Sequence, residues 1–156
     1  MLKDAKPMAP KRTMVFGSSG KLGRAIRRYA ESHDLRGFEY HDTDTFDIAD
    51  AEAYTAIDWD LYGTIINAAA FTAVDEAETT EGRKNAWRTN VQGVKNLARI
   101  AAEHRITLVH ISSDYVFDGT KELHTEDGEF APLSVYGQTK AAGDALVENV
   151  PQHYLL

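Results

Sequence analysis

Short apolar runs alternate with longer amphipathic segments from residue 13 to the end of the chain, and this alternation constrains the fold more than any other feature. The apolar runs predict β-strands at about 12–16, 38–41, 64–68, 107–112 and 154–156. The segments between them predict helices at about 21–32, 50–57, 83–104 and 135–149. Right-handed crossovers between such strands give an α/β fold with a doubly wound parallel sheet. Because a fifth apolar run begins just before Leu156, we expect that sheet to be incomplete at its C-terminal edge.

The composition predicts a single domain, and its charges are not clustered. The chain has 156 residues, 43% of them hydrophobic, which is enough for one buried core and too few for two. Its formal net charge is −7 and it has no basic cluster, so no nucleic-acid partner is expected. It has no cysteine, and its six histidines include no pair at the i, i+4 spacing. We therefore expect no metal site.

Neither a membrane span nor a signal peptide is visible in the sequence. No stretch is long and apolar enough to span a bilayer, and the N-terminus lacks an apolar core. A cytoplasmic protein with no membrane partner is expected. Residues 1–12 contain two prolines and three lysines without periodicity, which is typical of a flexible leader or linker. Residues 13–156 then form the expected domain.

A glycine-rich turn follows the first predicted strand. The sequence GSSGKLG places Gly17, Gly20 and Gly23 at three-residue spacing, between that strand and a helix. Glycines there allow a tight turn, close approach to a pyrophosphate and tight packing of the helix, whose N-terminal N–H groups attract the anion. The turn predicts an NAD(P)-binding domain of the Rossmann type. The alternative is a turn whose glycines serve the backbone conformation alone.

Aspartates follow the second predicted strand. Asp42 lies nineteen residues after Gly23, where a carboxylate accepts hydrogen bonds from the adenosine ribose and favours NADH. Alternatively Asp42 only forms a turn. His41 and Arg24 leave NADPH open. Asp47 is interpreted either as a contact to the adenine edge or as a simple loop or helix-cap residue.

Small residues follow the third predicted strand. Asn67 precedes three alanines, of which Ala68 and Ala69 come directly at the end of the strand. Small side chains at this edge let a cofactor lie against the backbone. The alternative is that the alanines are close-packed core.

Three residues late in the chain have the chemistry of an acid/base site. Tyr136 and Lys140 share one helix face at i, i+4 spacing, and Ser113 follows the fourth strand. An ammonium group near a phenol lowers the phenol pKa from about 10, which suits a general acid/base, and the serine donates to the same oxygen. The alternative is a chance pair on a solvated helix face.

Taken in order, GSSGKLG, NAAAFTAVDEAE, ISSDYVFDG and PLSVYGQTKAAGD resemble the dTDP-4-dehydrorhamnose reductase family of extended short-chain dehydrogenases. The resemblance extends from Thr13 to Leu156. It implies hydride transfer from NADH or NADPH to the 4-keto group of dTDP-4-dehydro-L-rhamnose, a nucleotide-sugar substrate. It also implies a homodimer and, for some members, fusion to another domain of the rhamnose pathway.

The resemblance implies a role for each matching residue. Tyr136 would be the proton donor, Lys140 would orient the nicotinamide ribose and lower the tyrosine pKa, and Ser113 would polarise the substrate carbonyl. The implied cofactor contacts come from the glycine turn, two loops, the end of the third strand and the long helix: Gly17, Ser18, Ser19, Gly20, Lys21, Leu22, Gly23, Asp42, Asp47, Ile48, Asn67, Ala68, Ala69 and Asn90. The implied sugar contacts are Thr72, Val74 and Tyr115.

The sequence departs from the family in two respects. Ser113 stands where the family usually has threonine, although either hydroxyl donates a hydrogen bond. The family's members are much longer, and their sugar pocket and their dimer or metal contacts lie largely in a C-terminal half. We therefore expect this chain to be a fragment and to be inactive by itself.

Two other functions fit the same motifs. One is a nucleotide-sugar epimerase or dehydratase of the same superfamily; a dehydratase needs an acid beside the serine, and Asp114 follows Ser113. The other is a non-catalytic NAD(P)-binding subunit, because the regulatory subunit of methionine adenosyltransferase resembles this family. The intact set of Ser113, Tyr136 and Lys140 favours an enzyme.

Overall fold

The computed structural model describes residues 11–125 and 128–156, which contain one open, all-parallel sheet. Its strands are β1 (Arg12–Phe16), β2 (Phe38–His41), β3 (Tyr62–Asn67), β4 (Thr107–His110) and β5 (His153–Leu155). Their order is β2-β1-β3-β4-β5, and each neighbouring pair is parallel. The chain therefore winds outward from β1 to β2 and then reverses to β3. The predicted α/β, Rossmann-type doubly wound fold is confirmed, and ligands bind such sheets at the reversal between β1 and β3.

The helices follow the predicted order with differences in detail. The α-helices are α1 (Lys21–Ser32), α2 (Val74–Ala77), α3 (Thr80–Trp87), α4 (Val94–His104) and α5 (Val135–Val147). A π-helical segment (Arg88–Gly93) joins α3 to α4, so the predicted helix at 83–104 is helical throughout but changes pitch in the middle. Short 3₁₀ turns occur at Ala53–Ala56, Trp59–Leu61 and Asp114–Val116.

The helix predicted at 50–57 is wrong. This segment contains one 3₁₀ turn, because aspartate side chains bond nearby backbone groups: Asp50 accepts from Glu52 N at 3.0 Å and Asp58 accepts from Asp60 N at 3.3 Å. The Trp59 indole also donates to the carbonyl oxygen of Tyr54 at 2.9 Å. These local bonds compete with those of an α-helix.

Helix α2 was not predicted from the sequence, since a helix of one turn is too short for a periodic pattern. It packs tightly on α3: a Cβ on Gly82 would lie 1.9 Å from the carbonyl oxygen of Glu76. Thr79 starts α3 by accepting a hydrogen bond from Gly82 N at 3.0 Å. The glycine and the cap together determine this helix pair.

The apolar residues form two buried clusters. The main one joins the strands to α4 and the end of α5, with members that include Met14, Phe16, Ile65, Leu97, Leu108 and Val147. The second is small and consists of Ala77, Ala86, Val135 and Tyr136, with Phe71 and Val74 packed against it. Because Tyr136 belongs to the second cluster, its ring is held by α2, α3 and α5.

In the described part of the chain, no helix has the length and apolarity that crossing a membrane requires. Most of the predicted leader, residues 1–10, lies outside the described residues, and Arg12 is the first residue of β1.

Candidate active site

The turn between β1 and α1 contains two glycines that packing requires. Gly17 has φ +77°, and a Cβ there would lie 2.6 Å from the backbone of Ala68 and Ala69 at the end of β3. A Cβ on Gly23 would lie 2.3 Å from the carbonyl oxygen of Gly17. These two glycines fit the conformational alternative, because the fold needs them with or without a ligand.

Gly20 is different. A Cβ there would meet only the carbonyl oxygen of Gly17, at 3.2 Å, and its φ of −70° suits any residue. No side chain caps the N-terminus of α1 at Gly20. The first N–H groups of a helix have no partner within it, so those of Lys21 and Leu22 are available to an anion. Packing and backbone conformation therefore do not require a glycine at position 20.

A cavity of about 460 Å³ adjoins this turn on the side of β2. It is lined by two serines, three arginines and one aspartate: Ser18, Ser19, Arg24, Arg27, Arg28 and Asp42. The Arg27 guanidinium lies 4.4 Å from the centre of the Tyr40 ring, a cation–π contact that holds it over β2. The cavity is therefore strongly basic apart from Asp42.

Asp42 forms the turn that one interpretation of the sequence predicts, and it also lines the cavity. In that turn its N–H donates to Thr45 Oγ1 at 3.1 Å and its carbonyl oxygen accepts from Phe46 N at 2.8 Å.

The Asp47 carboxylate is occupied within the protein. One oxygen accepts from Ala49 N at 2.9 Å, and the other pairs with the Arg88 guanidinium at 2.5 Å. The first of these bonds makes Asp47 a loop residue, since the next helical turn begins only after Glu52. The carbonyl oxygen of Ile48 accepts from both the Tyr54 hydroxyl at 2.8 Å and the Asn96 amide at 3.0 Å. The loop at 47–48 is thus fixed against α4.

At the end of β3, a buried asparagine is followed by two half-buried alanines. Ala68 and Ala69 are half-buried, and Ala68 N donates to the carbonyl oxygen of Phe16 at 3.0 Å. The Asn67 side chain is buried: its oxygen accepts from Ala69 N at 3.1 Å, and its amide nitrogen lies 2.9 Å from His110 Nδ1. Both polar atoms of the Asn67 side chain are thus bonded within the protein.

Asn90 lies in the π-helical segment and is fully engaged. Its amide oxygen accepts from Phe71 N at 2.8 Å, and its nitrogen donates to the Phe71 carbonyl at 3.1 Å and to Thr139 Oγ1 at 2.9 Å. Wider helical turns of this kind recur at functional sites. Asn90 therefore braces the segment after β3 against α5.

Close packing of α5 brings Ser113 and Tyr136 together. Ser134 caps α5 by accepting from Gly137 N at 3.0 Å, and a Cβ on Gly137 would lie 2.3 Å from the carbonyl oxygen of Tyr115. The Tyr115 ring meets the Tyr136 ring edge-on, with centroids 5.5 Å apart. The first turn of α5 thus rests on the 3₁₀ turn that Ser113 begins.

The pKa of Tyr136 differs from the sequence prediction. Burial raises the pKa of the phenol; a hydrogen bond with the Ser113 hydroxyl opposes that shift, and the charge of Asp114 adds to it. Lys140 Nζ is bonded elsewhere, donating to the carbonyl oxygen of Ile111 at 2.6 Å. The predicted lowering by Lys140 is therefore wrong for this arrangement, and Tyr136 keeps its proton at neutral pH.

The three residues suggested to contact the sugar differ in exposure. Thr72 is exposed, Val74 is half-buried against the cluster that holds Tyr136, and Tyr115 is 47% exposed beside Tyr136. Val74 and Tyr115 therefore border the phenol, whereas Thr72 is not among the residues of that cluster.

Sequence reasoning missed His110, Asp144, Arg27 and Arg28. His110 is a polar residue in an otherwise apolar strand, and Asp144 follows Lys140 at the i, i+4 spacing that singled out Tyr136. Both signals were present but have common structural explanations. The arginines form a cavity wall only once β2 is placed beside α1.

A parallel doubly wound sheet with a glycine turn at its reversal defines the class of Rossmann-type, nucleotide-binding folds. Within that class, the chain belongs to the RmlD substrate binding domain family, whose profile matches residues 11–156.

Two curated relatives illustrate the similarity. The dTDP-4-dehydrorhamnose reductase of Aggregatibacter actinomycetemcomitans is 36% identical over 140 residues, covering 87% of this chain and 46% of that protein. The enzyme of the same name from Escherichia coli K12 is 37% identical over 150 residues, covering 91% of this chain and 48% of that protein. The chain thus spans about half the length of the curated relatives it matches.

Solved structures have the same fold. A dTDP-4-dehydrorhamnose reductase from Clostridium acetobutylicum superposes with a TM-score of 0.84 at 35% identity, covering 92% of this chain and 51% of that one. The Bacillus anthracis enzyme, solved in complex with NADP, has a TM-score of 0.84 at 28% identity and covers 94% of this chain and 53% of that one.

Proposed function

We propose that this chain is the cofactor-binding part of a reductase that transfers hydride from NADPH or NADH to the 4-keto group of dTDP-4-dehydro-L-rhamnose, with Tyr136 as the proton donor. The observation that carries this proposal is that Gly20 and Tyr136 both lie at the carboxyl edge of the sheet. The open surface at Gly20 follows β1, and the turn that Ser113 begins, whose Tyr115 packs edge-on against Tyr136, follows β4 at the same carboxyl edge of the sheet. The names of the relatives supply the sugar substrate.

The residues suit a dinucleotide. Lys21 and Leu22 offer backbone N–H groups to the pyrophosphate, and Gly20 leaves room for it. When bound, the nicotinamide supplies the hydride. Tyr136 holds a proton at neutral pH because burial raises its pKa, and this is the protonation state that reduction of a ketone needs. Ser113 donates a second hydrogen bond to the developing oxyanion.

The basic cavity beside the turn favours NADPH over NADH. A 2′-phosphate carries close to two negative charges, and three arginines with two serine hydroxyls form a suitable binding site for it. Asp42 opposes this preference as a single carboxylate, and it remains able to accept from a ribose hydroxyl.

Removing the arginines should therefore weaken NADPH binding selectively. We expect the double variant Arg24→Ala, Arg27→Ala to lower NADPH affinity by about 100-fold, because each charge-assisted bond contributes roughly 1.5 kcal/mol. NADH affinity should change by less than about threefold. Isothermal titration calorimetry measures both, and Arg36→Ala is the control because Arg36 is exposed and pairs with Asp34 outside the cavity. An equal loss for both cofactors would contradict the assignment.

The 156-residue chain should bind the cofactor but reduce little substrate. Positioning the ketone contributes several kcal/mol to lowering the barrier, and the resemblance assigns the positioning groups largely to a C-terminal half. We expect turnover far below about 1 s⁻¹ in an NADPH oxidation assay with dTDP-4-dehydro-6-deoxyhexose. The same chain joined to the C-terminal half of the Escherichia coli relative should turn over. Ordinary turnover by the 156 residues alone would show that their site is complete.

A further inference from the structure

Four polar side chains are buried together beneath the sheet edge. Asn67 is 1% exposed, His110 1%, Lys140 2% and Asp144 0%. The proposed reaction uses only the ammonium group of Lys140. A buried cation is costly unless an acceptor and an opposite charge compensate it, so the other three side chains need a role.

The hydrogen bonds fix the protonation state of His110. The Asn67 oxygen accepts from Ala69 N at 3.1 Å, so its amide nitrogen is the donor to His110 Nδ1 at 2.9 Å. Nδ1 is then unprotonated and the proton resides on Nε2. Burial lowers the pKa of His110, which agrees with a neutral imidazole. Because it carries a hydrogen, Nε2 cannot accept from Lys140 Nζ, 3.4 Å away.

Asp144 is the acid that accompanies both groups. It lies one helical turn after Lys140, and its Oδ2 accepts a short hydrogen bond from the Ser112 hydroxyl. Its Oδ1 lies 3.4 Å from His110 Nε2 and has no hydrogen bond among the residues that the structure describes. His110 Nε2 therefore lies 3.4 Å from each of two buried groups, Asp144 Oδ1 and Lys140 Nζ.

The charges around Lys140 come from two elements and the turn after β4. His110 belongs to β4, Tyr136 and Asp144 belong to α5, and Asp114 follows Ser113. Burial lowers the pKa of Lys140, and the charge of Asp144 opposes this shift. Within this set, the charge of Asp144 is the one that favours the protonated ammonium group.

We propose that Asp144 is a positioning residue that keeps Lys140 cationic, with the neutral imidazole of His110 packed against both groups. The functional part of this inference rests on the proposed function, in which the Lys140 cation orients the nicotinamide ribose. The charge pair itself does not depend on that function, so it can be tested without any cofactor.

A double-mutant cycle tests the pair. Asp144→Asn leaves a buried cation uncompensated and Lys140→Met leaves a buried carboxylate, so each should lower the melting temperature by about 10 °C. The double variant should regain most of that loss, because no unpaired charge remains. Additive losses in the double variant would overturn the proposal. They would not bear on the separate claim that the chain binds the cofactor.

The pH dependence separates a charge role from a packing role. In Asp144→Asn the folded-state pKa of Lys140 falls further below its unfolded value of about 10.4. Burying the charged lysine then lowers the free energy of unfolding, and this loss is complete at a pH below the folded-state pKa. The loss fades as the pH rises toward the unfolded-state pKa. The gap in melting temperature between wild type and Asp144→Asn should therefore narrow between about pH 7 and 10. A gap of constant size would mean that Asp144 only fills space, and would overturn the proposal.

NADPH binding should show the opposite trend. As Asp144→Asn loses the Lys140 proton, its NADPH dissociation constant should rise by about tenfold between pH 7 and 9.5, whereas that of the wild type stays nearly flat. Ser112→Ala is the matched control, because it removes the hydrogen bond to Oδ2 and keeps both charges. Equal profiles for Asp144→Asn and Ser112→Ala would contradict the role assigned to the carboxylate.

Discussion

Replacing Tyr136 by phenylalanine should lower turnover by about 10² to 10⁴ with little change in cofactor affinity. The substitution removes only the hydroxyl, and the ring remains packed in its cluster with Ala77, Ala86 and Val135. The measurement is steady-state NADPH oxidation with the 4-keto sugar nucleotide, in a protein extended by a C-terminal half like that of the relatives.

Tyr115→Phe is a suitable control for this prediction. It removes a hydroxyl that has no role in the proposed proton transfer. Because the Tyr115 ring contacts Tyr136 edge-on and is also an implied sugar contact, Tyr29→Phe is measured beside it as a control outside the site, where the Tyr29 ring stacks on His33. We expect Tyr115→Phe to retain turnover within about tenfold. If Tyr136→Phe keeps near wild-type turnover, another group supplies the proton and the mechanism is wrong.

Replacing Gly20 by valine should abolish NADPH binding without unfolding the chain. A Cβ at Gly20 meets only one carbonyl oxygen, at 3.2 Å, and the backbone angles suit valine. The cost to stability should be about 1 kcal/mol, from a poorer N-cap residue. The side chain would occupy the space proposed for the pyrophosphate, so affinity should fall by at least about 100-fold.

Gly23→Val is the matched comparison. Its Cβ would lie 2.3 Å from the carbonyl oxygen of Gly17, so this variant should lose much of its stability. Thermal denaturation followed by circular dichroism, together with calorimetric titration of NADPH, distinguishes the two positions. If Gly20→Val binds NADPH normally, the pyrophosphate does not lie over this turn.

The sequence predicted the sheet and the glycine turn because local patterns determine them. Strands β1 and β2 and helix α1 have the predicted bounds, since apolar runs and amphipathic periodicity specify their burial directly. The segment at 50–57 was misassigned because aspartate bonds to the backbone, which periodicity does not register, replace the helix there.

The site was predictable only in part. The sequence singled out Tyr136, Lys140 and Ser113 as candidates, but the pKa of Tyr136 depends on burial and on the direction in which Lys140 points. The network of Asn67, His110 and Asp144 joins residues from three elements, so no local pattern reveals it. The arginines became meaningful only beside β2, where Arg27 stacks on Tyr40.

The most direct test of the account is a crystal structure of this chain with NADPH. We predict the pyrophosphate over Gly20 with bonds to the N–H groups of Lys21 and Leu22, and the 2′-phosphate in the arginine cavity. The nicotinamide ribose should accept a hydrogen bond from Lys140 Nζ. A cofactor bound elsewhere, or a side chain of Lys140 that remains turned toward Ile111 alone, would contradict the proposed site.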